Sequence, residues 1–203
     1  MSIVPCSNKN NKDCKNFNIT CPSGYTFVGG TIQARDYIYS MNEIKCKSNT
    51  NGEINTVSIP IQGGIDENNN KYEFYQTYEI PFCINGFSEI QKTSLLDVDG
   101  NEEAVKSLRF RCNGDDFFSG KISGDTTFSF YDEISYLKCT NQIINSLTGQ
   151  YGKYGKNNDN IWLSLNTTCG AIISNEPDSS SLNILTLLVV FVFIILFLMV
   201  IIY

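Results

Sequence analysis

Short apolar stretches alternate with polar breaks along most of this chain, and almost none of them has helical spacing. In the run ending at Cys112, Leu108 and Phe110 take one side while Arg109 and Arg111 take the other, a period of two. Tyr72, Phe74 and Gln76 alternate in the same way with Glu73, Tyr75 and Thr77. Further strand-like runs are "INTVSIPI", "KYEFYQTYEIPF" and "FFSGKISGDTTFSFYDEISYL". Gly, Asn and Asp fill the gaps between them, and "EEAVKSL" is too short to be a helix. The pattern predicts an all-β domain of many short strands.

Three stretches share one plan. Cys21 to Cys46, Cys83 to Cys112 and Cys139 to Cys169 each open with β-formers near a glycine: Phe27 and Ile32, Phe87 and Ile90, Ile143 and Leu147. Each passes a polar loop and returns along a strand: Ile38 to Ile44, Val105 to Phe110, Ile161 to Leu165. A unit recurring about every sixty residues implies a three-part repeat.

All 8 cysteines lie on the N-terminal side of the apolar run at the chain's end: Cys6, Cys14, Cys21, Cys46, Cys83, Cys112, Cys139 and Cys169. No C-x-x-C pair is present and histidine is absent, so neither zinc nor any other metal or cofactor is expected. An even count suits disulfides, although reduced cysteines also pack well as small apolar residues. Paired antiparallel strands bring Cα atoms within disulfide reach, so cysteines at both ends of a unit can close the base of a hairpin. The expected pairs are Cys21–Cys46, Cys83–Cys112 and Cys139–Cys169, with Cys6–Cys14 left over.

Cys21-Pro22-x-Gly24, and the endings Ser40-Met41-Asn42-x-Ile44-Lys45-Cys46 and Ser107-Leu108-Arg109-Phe110-x-Cys112, resemble the vitelline membrane outer layer protein family. They also resemble the jacalin-type lectins. The resemblance covers residues 21–170, and the third unit fits it less well. It implies a β-prism of three sheets about a pseudo-threefold axis, with sugar bound by loops at one end. Both families as a rule lack a transmembrane tail.

This chain shows such a tail. Ile184 to Tyr203 holds one hydroxyl and no charge, and as a helix it spans ~30 Å, the thickness of a bilayer core. The expected organisation is a cysteine-containing arm over 1–20, the β-prism-like domain over 21–173, a polar stalk over 174–183 and a single-pass transmembrane helix over 184–203. No secretory h-region is visible near the N-terminus. That layout resembles poxvirus-like envelope proteins, and it predicts a domain displayed on a cell exterior or virion surface.

Charge and composition narrow the functions. The net charge is −6 without a basic cluster, which argues against a nucleic-acid partner. With no histidine, the commonest general base is missing, and an enzyme is not expected. Asp97 with Asp99 and Asp115 with Asp116 read as solvated turns, and Gly29–Gly30 and Gly63–Gly64 open no helix as a phosphate loop would. The expected function is a membrane-anchored recognition or attachment module, with glycans or other surface proteins as partners. The alternative is a structural coat component with no small ligand. For a ligand, Gly155 and Asp159 frame a lectin-like Gly-x-x-x-Asp pattern, with Tyr151, Tyr154 or Trp162 to stack on a sugar ring. Asn18 and Asn166 head N-x-Thr sequons, candidates for glycosylation.

Overall fold

The computed structural model describes residues 14–60, 76–96, 100, 102–122, 131–154 and 159–172. They belong to one compact unit and form ten strands. These are β1 (Lys15–Thr20), β2 (Tyr25–Ala34), β3 (Ile38–Ser48), β4 (Ile54–Ser58), β5 (Gln76–Ile80), β6 (Phe87–Leu96), β7 (Glu102–Cys112), β8 (Asp132–Lys138), β9 (Ile143–Tyr154) and β10 (Asp159–Gly170). The expected stalk and transmembrane helix, 174–203, lie outside the described residues, as do Cys6, Gly63, Gly64, Asp97, Asp99 and Gly155.

The strands make three antiparallel sheets, ordered β1-β9-β10, β4-β3-β2-β5 and β7-β6-β8, referred to below as sheets 1, 2 and 3. Each is built on one of the three expected hairpins, β9–β10, β2–β3 and β6–β7. The arm expected over 1–20 contributes more than a tether, since residues 15–20 are β1 and pair along β9.

All three sheets face one core. Ile32 and Ile44 come from sheet 2, Ile90 and Leu108 from sheet 3, Leu147 and Leu165 from sheet 1. Phe87 bridges, with ring centroids 5.0 Å from Phe27 and 5.2 Å from Phe110. The alternation read in β7 holds: Leu108 and Phe110 are buried, Arg109 is exposed, and the half-buried Arg111 pairs with Glu89. Lys92, buried on β6, is held by Glu102 at 2.8 Å and donates to the Leu165 carbonyl of β10 at 3.0 Å. A buried ammonium needs such partners, and here they tie sheet 3 to sheet 1.

Three disulfides close the hairpin bases as expected. Cys21–Cys46, Cys83–Cys112 and Cys139–Cys169 have Cα separations of 5.7, 5.2 and 5.6 Å. Cys14 is also disulfide-bonded. Beside each of the three bonds the register slips by one residue, leaving Val28, Ser88 and Asn145 bulged out of the ladder. The carbonyls so freed each accept a hydrogen bond from beside the start of another unit, two from a backbone N–H and one from a side chain. Val28 O accepts from Cys83 N (2.8 Å), Ser88 O from Cys139 N (2.9 Å) and Asn145 O from the Thr20 hydroxyl (3.3 Å). Each unit thus grips the start of the next, and the third returns to the residue before Cys21. Gly86 sits where the units meet; a Cβ there would lie 3.0 Å from Thr26 and 3.3 Å from Ile143, and its φ of +74° favours glycine.

Candidate functional site

With the disulfides at the hairpin bases, the opposite ends of the hairpins converge. Tyr37 lies at the β2–β3 turn, Glu103 at the start of β7, and Tyr154 at the end of β9. Tyr37 meets Tyr154 edge-on, with ring centroids 5.3 Å apart. The Tyr154 hydroxyl donates to Glu103 Oε2 at 3.3 Å. One residue from each hairpin therefore enters a single junction. Beneath it, Tyr39, Ala104, Ile161 and Leu163 form a small second core against which Tyr37 and Tyr154 pack. That support fixes the aromatic rings and leaves them half-buried.

The junction is polar and acidic at its edge. Burial, reinforced by Tyr37 and by the Glu103 carboxylate, raises the Tyr154 pKa well above the ordinary phenol value. The hydroxyl keeps its proton at neutral pH and serves as a donor. Glu102, next to Glu103, is spent internally on Lys92 and on the Ser94 hydroxyl. Arg35 and Asp36 form an exposed pair across 3.8 Å at the β2–β3 turn. Carboxylate, guanidinium and phenol groups beside aromatic faces are the groups that hydrogen-bond to ligand hydroxyls and cover an apolar ring face. No group of His, Cys, Asp and Glu able to hold a metal occurs among the described residues.

The expected ligand residues divide. Tyr154 is at the junction, and Asp159 pairs with it at the mouth of the β9–β10 hairpin. Tyr151 lies elsewhere, packed against the main core. Trp162 needs correcting: it is fully buried and stacks on Phe17 at 4.6 Å, so its face is covered by protein. The reason is register. Trp162 falls on the core-facing side of β10, opposite Tyr151, before the ladder slips at Trp162/Ser164. Asp115 and Asp116 are exposed in the turn after Cys112, at the base end. Gly29 and Gly30 lie within β2.

Tyr37 and Glu103 were not expected, yet a signal exists. Tyr37, Glu103 and Asn160 are each the ninth residue before the closing cysteine of their unit, Cys46, Cys112 and Cys169. Aligning the repeats from those cysteines places all three at one end.

The chain matches no protein-family model and no curated protein. Among solved structures it is similar to a galactose-binding lectin from champedak, with Gal(beta)1,3-GalNAc. The identity is 14%, over 77% of this chain and 98% of that one, with a TM-score of 0.44. Frutalin from Artocarpus incisa, in complex with galactose, is 13% identical over 75% of this chain and 98% of that one, TM-score 0.45. A jacalin–melibiose complex gives 13%, 77%, 98% and 0.43. These are likenesses of sheet layout at low scores; the fold description above rests on the strand pairing of this chain.

Proposed function

We propose that the hairpin-tip end is a recognition surface for carbohydrate, carried on a membrane-anchored module. The observation behind this reading is the Tyr37–Tyr154–Glu103 junction, in which three separate hairpins contribute to one aromatic and acidic patch. Loop ends held by a rigid scaffold are where binding groups concentrate. Asp159 is the backbone partner of Tyr154 in the β9–β10 ladder and is tested with Tyr37 and Glu103. The similar lectins, whose structures hold galactose or galactose-containing disaccharides, suggest the class of ligand to try first. The apolar run Ile184–Tyr203 supports anchoring of the domain to a membrane and its display on a cell or virion surface. A Tyr154 hydroxyl that keeps its proton is available as a hydrogen-bond donor to a ligand.

The test is a glycan array probed with the full chain in detergent, alongside Tyr37→Ala, Glu103→Gln and Asp159→Ala. Binding that falls tenfold or more in these variants supports the reading. Silence across the array, or binding indifferent to all three, rejects it. Rejection would favour a structural coat component. For that second reading the favouring observation is sheet 3, where β8 exposes Ile134 and Tyr136 at 48% and 55%.

A further inference from the structure

We propose that the outer face of sheet 1 carries two N-linked glycans side by side, on Asn18 and Asn166. The two sequons, Asn18-Ile19-Thr20 and Asn166-Thr167-Thr168, are far apart in sequence. The fold puts them in register. Asn18 and Asn166 both pair with Thr148, and Thr20 and Thr168 both pair with Ser146. Residues directly opposite across antiparallel strands point to the same face. Both asparagines therefore flank the central strand β9 on one side of the sheet, about 10 Å apart at the usual strand spacing. The opposite side is the core side, where Phe17, Ile19, Leu147 and Leu165 are buried.

Three features make this face an acceptor. Both asparagines are exposed. Their surroundings are uncharged: Asn16 pairs with Gln150, which donates to it at 3.2 Å, and Ser146 and Thr168 share a hydrogen bond at 2.7 Å. Each sequon is also followed directly by a disulfide cysteine, Cys21 or Cys169, and disulfides form in the same oxidising compartments through which glycosylated chains pass. Asparagine is abundant here, so a sequon can arise by chance, and the shared row on one solvent-facing side is the observation beyond the sequons themselves. There is also a gain. β1 is an edge of sheet 1, and a bulky hydrophilic group on it blocks edge-to-edge pairing with another chain.

The chemistry is transfer from a lipid-pyrophosphate-linked oligosaccharide. The asparagine Nδ2 loses a proton and bonds to the anomeric carbon as the bond from that carbon to the pyrophosphate oxygen breaks. The lipid pyrophosphate leaves. The inference is independent of the carbohydrate-recognition reading, since the hairpin-tip junction and this face are different surfaces.

The experiment takes the full chain from its own source and treats it with peptide-N-glycosidase in heavy-oxygen water, which leaves a labelled aspartate wherever a glycan stood. Peptide mass spectrometry is expected to find the label at both Asn18 and Asn166. In cells that make the full chain, Thr20→Ala and Thr168→Ala are each expected to remove one glycan, while Thr20→Ser and Thr168→Ser keep it. No label at either site overturns the proposal, label at one alone overturns the pairing, and label that also appears without the enzyme is spontaneous deamidation and overturns it too.

Discussion

Trp162 is the only tryptophan in the chain, and the structure makes it a core residue where the sequence offers it as a sugar-stacking face. The two roles predict different behaviour. Its indole is fully buried against Phe17, and its Nε1 has no hydrogen-bond partner among the described residues. Trp162→Ala removes the largest fully buried side chain among the described residues, which costs about 4 kcal/mol in cores of this kind. Of that, ~1 kcal/mol is the aromatic pair, and it should appear as coupling in a double-mutant cycle with Phe17→Ala. Trp162→Phe loses volume but also removes a buried donor left unpaired, a penalty of roughly 1–3 kcal/mol in itself. The two effects oppose, so this variant should stay within ~1 kcal/mol of the parent. Urea unfolding followed by circular dichroism measures both. The native indole emission should be blue-shifted, shielded from acrylamide and unmoved by any sugar. A Trp162→Ala variant as stable as the parent, or emission typical of water-exposed indole, would refute the assignment.

Other outcomes follow from the same geometry. Replacing Cys83 and Cys112 together by Ala opens a loop of sequence separation 29, which on the chain-entropy account costs about 3.5 kcal/mol; the Cys21–Cys46 and Cys139–Cys169 replacements should cost nearly the same, read by urea midpoints. Gly86→Ala places a Cβ against Thr26 and Ile143 at a positive φ and should destabilise by ~2–3 kcal/mol; a neutral result would contradict the packing of the three units at that point. Because the folded-state pKa of Tyr154 is raised, its contribution is fully present below the unfolded phenol pKa and is lost as pH rises towards the folded value. Stability should therefore fall on the alkaline side of the phenol range, and Tyr154→Phe should flatten that fall. Equal slopes for the two proteins would show that the hydroxyl is not held as described.

Much of the architecture is legible in the residues. The cysteine-to-cysteine spacing gives the three hairpins, and the alternation of Leu108 and Phe110 with Arg109 and Arg111 gives the core face of β7. β1 was hidden because its ladder joins Lys15–Thr20 to β9, a pairing across more than a hundred residues that no local pattern announces. The bulges at Val28, Ser88 and Asn145 were hidden too, since a register slip depends on the partner strand. The candidate site was half-legible. Tyr154 and Asp159 share a hairpin and were found together, whereas Tyr37 and Glu103 join them only through the closure of three units around one core. Trp162 misled because period two puts a residue on a face, and only the register says which face is inside.

The central claim is that three separately closed hairpins lock head to tail around one core, and non-reducing peptide mapping by mass spectrometry tests it most directly. Digested without reduction, the full chain should give linked peptides joining Cys21 to Cys46, Cys83 to Cys112 and Cys139 to Cys169. A bond between units, such as Cys46 to Cys83, or free thiols at these six positions in the native protein, would contradict it.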